Sequence, residues 1–226
     1  MTSKTTKKKT PKTRKTAESK YTLHEASKLL LQNNSVNANE YYRYIQARPE
    51  TINSQFKIAY NYAQDYFKVK YGGGYRGKYR TLKLLDVGAG IGGAVVIMRT
   101  VQSLIKTEKD ISIEFTGLEI DKNLIPFYEA INGLSGVKTI DALEYEGYKD
   151  IDIIYFYHPI SNNKLMTVLE NKLVKDAKIG TLFIRILKPH YNAEDLGKDP
   201  FKENCLNIKA ERNNLYNDSK VWQKIK

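Results

Sequence analysis

The stretch LLDVGAGIGG, residues 84–93, breaks an apolar run with an acid and then places glycine at four of the seven positions 87–93. TLKLLDV in front of it, 81–87, has the apolar density of a buried strand, and GGAVVIMRTVQSLIK behind it, 92–106, has helical spacing. Glycine at 88, 90 and 92 lets the backbone turn tightly and come close to a ligand. The helix that follows offers unpaired N–H groups and the positive end of its dipole. A strand, a glycine turn and a helix in that order form a corner where an open α/β sheet binds a phosphate or a nucleoside, beyond the carboxyl ends of its strands.

Working outward, strands and helices alternate. ISIEFTGLE reads as a second strand and KNLIPFYEAINGL as a helix interrupted or started near Pro126. VKTI is a short third strand, and the almost wholly apolar IDIIYFY is a fourth, as expected of a central parallel strand. SNNKLMTVLENKLVKDA is a helix with Ser161 as its N-cap, and GTLFIRIL is a fifth strand. NCLNIKAER and KVWQKIK read as an antiparallel pair closing one edge. The pattern predicts a three-layer α/β sandwich around a mostly parallel seven-stranded sheet.

Upstream, Thr22 and Glu25 stand at capping-box spacing, and Leu23, Ala26, Leu30 and Leu31 follow helically. A short helix is expected from about Glu40 to Ala47, and a stronger one from about Glu50 to Lys70. The second carries a stripe of Ile52, Phe56, Ala59, Tyr60, Ala63, Tyr66 and Phe67. YGGGYRGKYR, 71–80, interleaves Tyr and Arg/Lys on a glycine hinge. Such a loop suits nucleic acid, since rings stack on bases and cations meet phosphates; it is equally a linker whose tyrosines pack on the neighbouring domain. The expected organisation is a disordered basic tail, 1–20, a helical segment with its glycine/tyrosine loop, 21–80, and the α/β domain, 81–226.

The 226 residues carry a formal charge of +12, and residues 1–20 hold eight Lys or Arg against one acid. The tail from Lys4 to Lys20 is either a solubilising end or an electrostatic arm for a polyanion. It has no apolar run, so neither a secretory signal nor an anchor is expected, and no apolar stretch is long enough to span a membrane. Cys205 is the only cysteine, which rules out an intramolecular disulfide and four-cysteine zinc. The expected compartment is cytoplasmic.

Gly88-x-Gly90-x-x-Gly93 also fits the dinucleotide fingerprint. Asp86 speaks against it, because a carboxylate two residues ahead of the first glycine repels a diphosphate lying across the turn. It favours a cation instead, by about 1–4 kcal/mol depending on exposure. D-V-G-A-G-I-G resembles the (D/E)-x-G-x-G-x-G motif of the class I S-adenosylmethionine (SAM)-dependent methyltransferases. The resemblance implies SAM as cofactor, bound by Asp86, Gly88, Ala89, Gly90 and Gly92. It implies that Glu119, closing G-L-E, accepts hydrogen bonds from both ribose hydroxyls, a task a carboxylate can perform. Glu119 lies 31 positions after Gly88, and TEKD at 107–110 is read as an insertion lengthening that gap. Asp141 and Ala142, after the third strand, resemble the adenine-contacting position; the alternative for Asp141 is a solvated carboxylate.

The same resemblance puts the attacking group near the end of the fourth strand, at Tyr157-His158-Pro159-Ile160. This departs from the (D/N/S)-P-P-(Y/F) motif of the amino methyltransferases: the leading acid or amide is missing, one proline is His158 and the last aromatic is Ile160. His158 is the candidate general base and Tyr157 a candidate for orienting the substrate. The competing reading makes His158 a hydrogen-bonded strand-end residue without chemical work. His24 and His190 have no motif around them, and no metal-ligand spacing occurs. Tyr60, Tyr62 and Tyr66 are candidates for lining the substrate pocket.

These readings lead to a methyltransferase acting on a nucleic acid, RNA slightly ahead of DNA. The alternatives are a protein methyltransferase, a non-catalytic nucleic-acid-binding or structural protein that retains the fold, and a dehydrogenase.

Overall fold

The computed structural model describes residues 47–71, 81–105, 111–132, 136–187, 199–208 and 220–226, with side chains of the first segment described as far as 66. The tail, residues 21–46, the loop after Tyr71, TEKD, His24 and His190 lie outside the described residues.

The first described helix, α1, runs Pro49–Tyr71. Proline suits its first position, where no N–H is needed, and Glu50 meets the positive helix end. Its stripe of Ile52, Phe56, Ala59, Tyr60 and Ala63 is buried. The remaining elements are β1 Thr81–Val87, α2 Gly93–Ile105, β2 Ser112–Glu119, α3 Ile125–Asn132, β3 Val137–Thr139 and a 3₁₀ turn Gly147–Asp150. Then come β4 Ile153–Tyr157, α4 Asn163–Asp176, β5 Leu182–Ile186, α5 Pro200–Asn204, β6 Cys205–Asn207 and β7 Val221–Lys224.

The strands form one seven-stranded sheet in the order β3-β2-β1-β4-β5-β7-β6. β1 to β5 pair in parallel, while β7 runs antiparallel to both β5 and β6. Alternation along each strand divides the core. Leu82 and Leu84 of β1, Phe115 of β2 and Ile153 and Tyr155 of β4 pack with α1, α2 and Tyr128 of α3. Leu85, Val87, Ile154, Phe156 and Phe183 face the opposite side, with Met166, Leu169 and Leu173 of α4 and Phe201 of α5. Phe156 and Phe183 are fully buried, and each ring contributes about 3–5 kcal/mol by the cost of truncation to alanine.

Several boundaries differ from the sequence reading. Asn162, not Ser161, caps α4: its Oδ1 accepts from the N–H groups of Lys164 and Leu165 at 3.0 and 3.2 Å. Both residue types cap well; Asn162 is the one in extended backbone immediately before the first helical residue. NCLNIKAER starts as a strand at Cys205, because a short helix with Asp199 as its cap runs Pro200–Asn204; the strand is Cys205–Asn207, and residues 209–212 lie outside the described residues. IDIIYFY becomes a strand only at Ile153, since Asp152 is engaged by the Lys83 N–H at 3.0 Å and by Lys178 at 2.8 Å.

A buried ionic cluster ties these parts together. Arg185 of β5 donates from Nε and Nη2 to Glu170 of α4, at 2.8 and 3.0 Å, and from Nη1 to Asp199 at 2.9 Å. Its guanidinium also lies 4.6 Å from the Phe201 ring centroid. Lys224 Nζ donates to the carbonyls of Lys175 and Ala177, closing the C-terminal end of α4.

Candidate active site

The strand order reverses between β1 and β4, whose residues pair from Leu84 with Ile153 to Val87 with Phe156. In an open α/β sheet this reversal opens the crevice that takes a ligand. The glycine turn sits at its mouth. Gly88, Gly90 and Gly92 have φ values of 74°, 54° and 79°, a region costly to residues with a Cβ. The N–H groups of Gly88 and Ala89 donate to the Leu118 carbonyl at 3.0 and 2.8 Å, tying the turn to β2.

Two of these glycines have a structural task that the sequence did not reveal. A Cβ on Gly88 would run into Pro159, and one on Gly92 would run into Asn132 and lie 2.7 Å from Cδ2 of Tyr128. Gly117, inside β2, makes similar room: a Cβ there would lie 2.8 Å from that of Ala89 and 3.1 Å from Cε2 of Tyr128. Tyr128 and Asn132 are therefore parts of the corner that motif reading missed, as is the contact of Pro159 with Gly88. The available signal was Gly117, since glycine within a strand marks a close approach.

The three acids meet at neighbouring strand ends. Asp86 is opposite Gly117 in register, and Glu119 ends β2. The Ile140 N–H donates to the Glu119 carbonyl at 3.1 Å, which brings Asp141 alongside. Glu119 Oε2 accepts from the Gly90 N–H at 2.7 Å, and Oε1 accepts from the Asp121 N–H at 2.9 Å. Burial pushes the Glu119 carboxyl up, while these backbone donors pull it back. Each oxygen keeps a second lone pair, which is what a vicinal diol requires. Asp141 Oδ1 caps its own turn by accepting from the Leu143 N–H at 2.8 Å, and the Ala142 carbonyl accepts from Tyr148 Oη at 2.8 Å.

Asp86 differs from the standing negative charge expected of it. It is 2% exposed, and its Oδ2 has no hydrogen-bond partner among the described residues. Burial, with a contribution from nearby Glu119, pushes its carboxyl up to about 8. A carboxyl removed from water is neutral at pH 7 until an opposite charge arrives.

At the end of β4, Tyr157 is half-buried against the α1/α2 face, His158 is buried, and Pro159 packs on Gly88. His158 holds φ at 41°, the left-handed region, and is the single residue other than glycine to do so among those described. Strain of this kind costs about 1–3 kcal/mol and gathers at ligand sites. The segment is thus brought to the glycine turn, with the His158 ring shielded from solvent.

The α1 tyrosines are placed elsewhere. Gln55, near the start of α1, accepts from the Lys220 N–H at 2.9 Å, beside the carboxyl end of β5. Tyr60 Oη donates to the Ile111 carbonyl at 3.1 Å, just before β2, and Tyr62 Oη to Gln223 Oε1 at 2.7 Å. Tyr66 lies against Gly180, ahead of β5. Thus α1 descends antiparallel to the parallel strands, and Tyr60, Tyr62 and Tyr66 line the edge opposite the glycine turn. The reason is geometric: a helix packed along the strands separates residues 55 and 66 by about 16 Å.

The chain has the class I methyltransferase fold. The strand order and reversed β7 carry that statement. No family model matches the sequence, and no curated protein matches it. Among solved structures the chain is similar to magnesium protoporphyrin IX methyltransferase from Synechocystis PCC 6803 with bound SAM, at 11% identity over 88% of this chain and 93% of that one, TM-score 0.44. It is also similar to the plantazolicin methyltransferase BpumL with a desmethylPZN analog and SAH, at 12% identity over 70% and 55%, TM-score 0.40. A third is the YcgJ protein from Bacillus subtilis, at 14% identity over 60% and 49%, TM-score 0.39. The chain spans about half the length of the first two solved structures it matches, 49% and 47%. No helix among the described residues is long and apolar enough to cross a membrane.

Proposed function

We propose that this chain is a SAM-dependent methyltransferase acting on a nucleic acid, RNA ahead of DNA. The observation that carries the reading is the buried Asp86 carboxyl with its unpartnered Oδ2, set behind a glycine turn with Glu119 beside it. The two acids cannot ionise beside a diphosphate and would leave Asp86 Oδ2 unmatched there, which counts against a dinucleotide. They suit an adenosine whose tail bears an ammonium and a sulfonium. Asp86 faces the cation, Glu119 takes the ribose hydroxyls, and Asp141 and Ala142 border the base.

SAM, when bound, supplies a methyl group already activated for in-line displacement. The protein's own work is then to position the acceptor and exclude water. Tyr157 and His158 stand at the end of β4, with Tyr157 orienting the acceptor and His158 taking its proton. The nucleic-acid acceptor rests on the sequence: the net +12 and the eight cations of residues 1–20 against one acid.

Burial of His158 favours one competing reading, a nucleic-acid-binding protein that keeps the fold without catalysis. Tritiated methyl transfer from SAM into separated RNA, DNA and protein fractions decides among them. Label in RNA supports the proposal, and label in protein alone moves the substrate. No SAM binding together with strong salt-dependent RNA or DNA association supports the binding protein.

A further inference from the structure

α3 brings Tyr128 and, one turn later, Asn132 under the glycine corner. Asn132 Nδ2 donates to the Gly92 carbonyl at 3.4 Å and to the Tyr128 carbonyl at 3.1 Å. Arg99 of α2 donates to the Asn132 carbonyl at 2.9 Å, and its guanidinium lies 5.2 Å from the Phe115 ring centroid. The Tyr128 ring is fully buried, wedged against Gly92 and Gly117. A side chain at Gly92 would force the ring to shift, and one at Gly117 would press against it.

Gly117 is the β2 neighbour of Asp86. Leu84 and Phe115 face the α1–α3 side, so two residues further on Asp86 and Gly117 face it too. A ring resting on Gly117 therefore carries its phenol toward Asp86, and the two groups interact electrostatically. Yet Tyr128 Oη and Asp86 Oδ2 both lack a hydrogen-bond partner. Buried polar atoms are normally matched, and two unmatched on one face point to a state in which they are used. Among the described residues, Glu119 on β2 acts on Asp86, Tyr155 stands opposite it on β4, and Arg99 on α2 acts on Tyr128.

We infer that Tyr128 is a positioning residue of the donor site, its hydroxyl donating to the Asp86 carboxylate when that carboxylate faces the ammonium of a bound ligand. The inference rests on the SAM reading of the corner. A phenol donor stabilises the ionised acid and holds it in one rotamer, which strengthens its hold on the cation. A ligand that lacks the ammonium leaves the acid neutral and makes no use of the hydroxyl.

Tyr128→Phe keeps the ring between the two glycines and removes only the hydroxyl. Calorimetry with SAM and with 5′-methylthioadenosine, which keeps the nucleoside but has a neutral thioether in place of the sulfonium and no ammonium, reads the difference. The expected result is about a tenfold loss of SAM affinity with 5′-methylthioadenosine affinity unchanged. In an Asp86→Asn background the same substitution has no further effect. Equal losses for both ligands mean a merely structural role and overturn the inference, as does unchanged SAM binding. A wild-type protein that binds neither ligand overturns the SAM reading itself, and this inference with it.

Discussion

Gly88 and Pro159 meet across the reversal between β1 and β4, where the proline occupies the place a Gly88 side chain would take. The turn that faces a ligand on one side is thus buttressed on the other by the segment carrying His158. Gly88→Ala adds a clash to a left-handed φ of 74°. It is expected to destabilise the fold by about 2–5 kcal/mol, read as a lower urea midpoint. Pro159→Gly in the same chain, which removes the Cβ that the new side chain would meet, should recover part of that loss. An unshifted midpoint would show that the contact relaxes freely.

Asp86 makes stability fall as pH rises. Its carboxyl titrates near 3.8 when unfolded and at about 8 when folded, so between these values the folded state binds the extra proton. Stability then decreases with pH across that window, and Glu119, also raised, adds to the trend. Asp86→Asn should flatten the slope and raise the urea midpoint at pH 9 relative to wild type. Parallel pH profiles for the two proteins would refute the assignment.

His158→Asn tests the β4 segment without disturbing its backbone, because asparagine enters the left-handed region readily. If His158 acts as general base, turnover falls about 100-fold while SAM affinity stays within about twofold. Wild-type turnover removes it from the chemistry.

The Arg185 cluster is expected to hold α4 and α5 to the sheet. Glu170→Ala leaves a buried guanidinium with half of its partners and should cost about 3–5 kcal/mol in chemical unfolding. A loss below 1 kcal/mol would mean that water reaches the site.

Cys205 is buried, and its thiol is pushed up to about 12, chiefly by burial. Ellman's reagent should leave the native protein unmodified at pH 8 and label it fully in urea. Rapid native labelling would show that the β6 edge opens easily.

Much of this was legible in sequence because it depends on short-range periodicity. TLKLLDV, GLE and IDIIYFY announced β1, β2 and β4, since apolar runs bounded by glycine or polar turns leave few other ways to bury themselves. The glycine turn and its acid named the corner for the same reason. Tyr60 and Tyr66 were read rightly as packing residues, but the choice of sheet edge was hidden, because a helical stripe says which face is buried and nothing about direction along the strands. Ser161 and Asn162 are equivalent as letters, and backbone geometry selected Asn162.

The order of polar and apolar residues along this chain determined its α/β alternation and placed an acid near the end of the first strand and three glycines between that strand and its helix. Tertiary structure alone decided that burial pushes the Asp86 carboxyl up, that Gly88 and Gly92 accommodate Pro159 and Tyr128, and that Arg185 joins Glu170 to Asp199. The physical reason is common to all three. Desolvation and close contact depend on which distant residues come to share a volume, and spacing along one segment does not encode that.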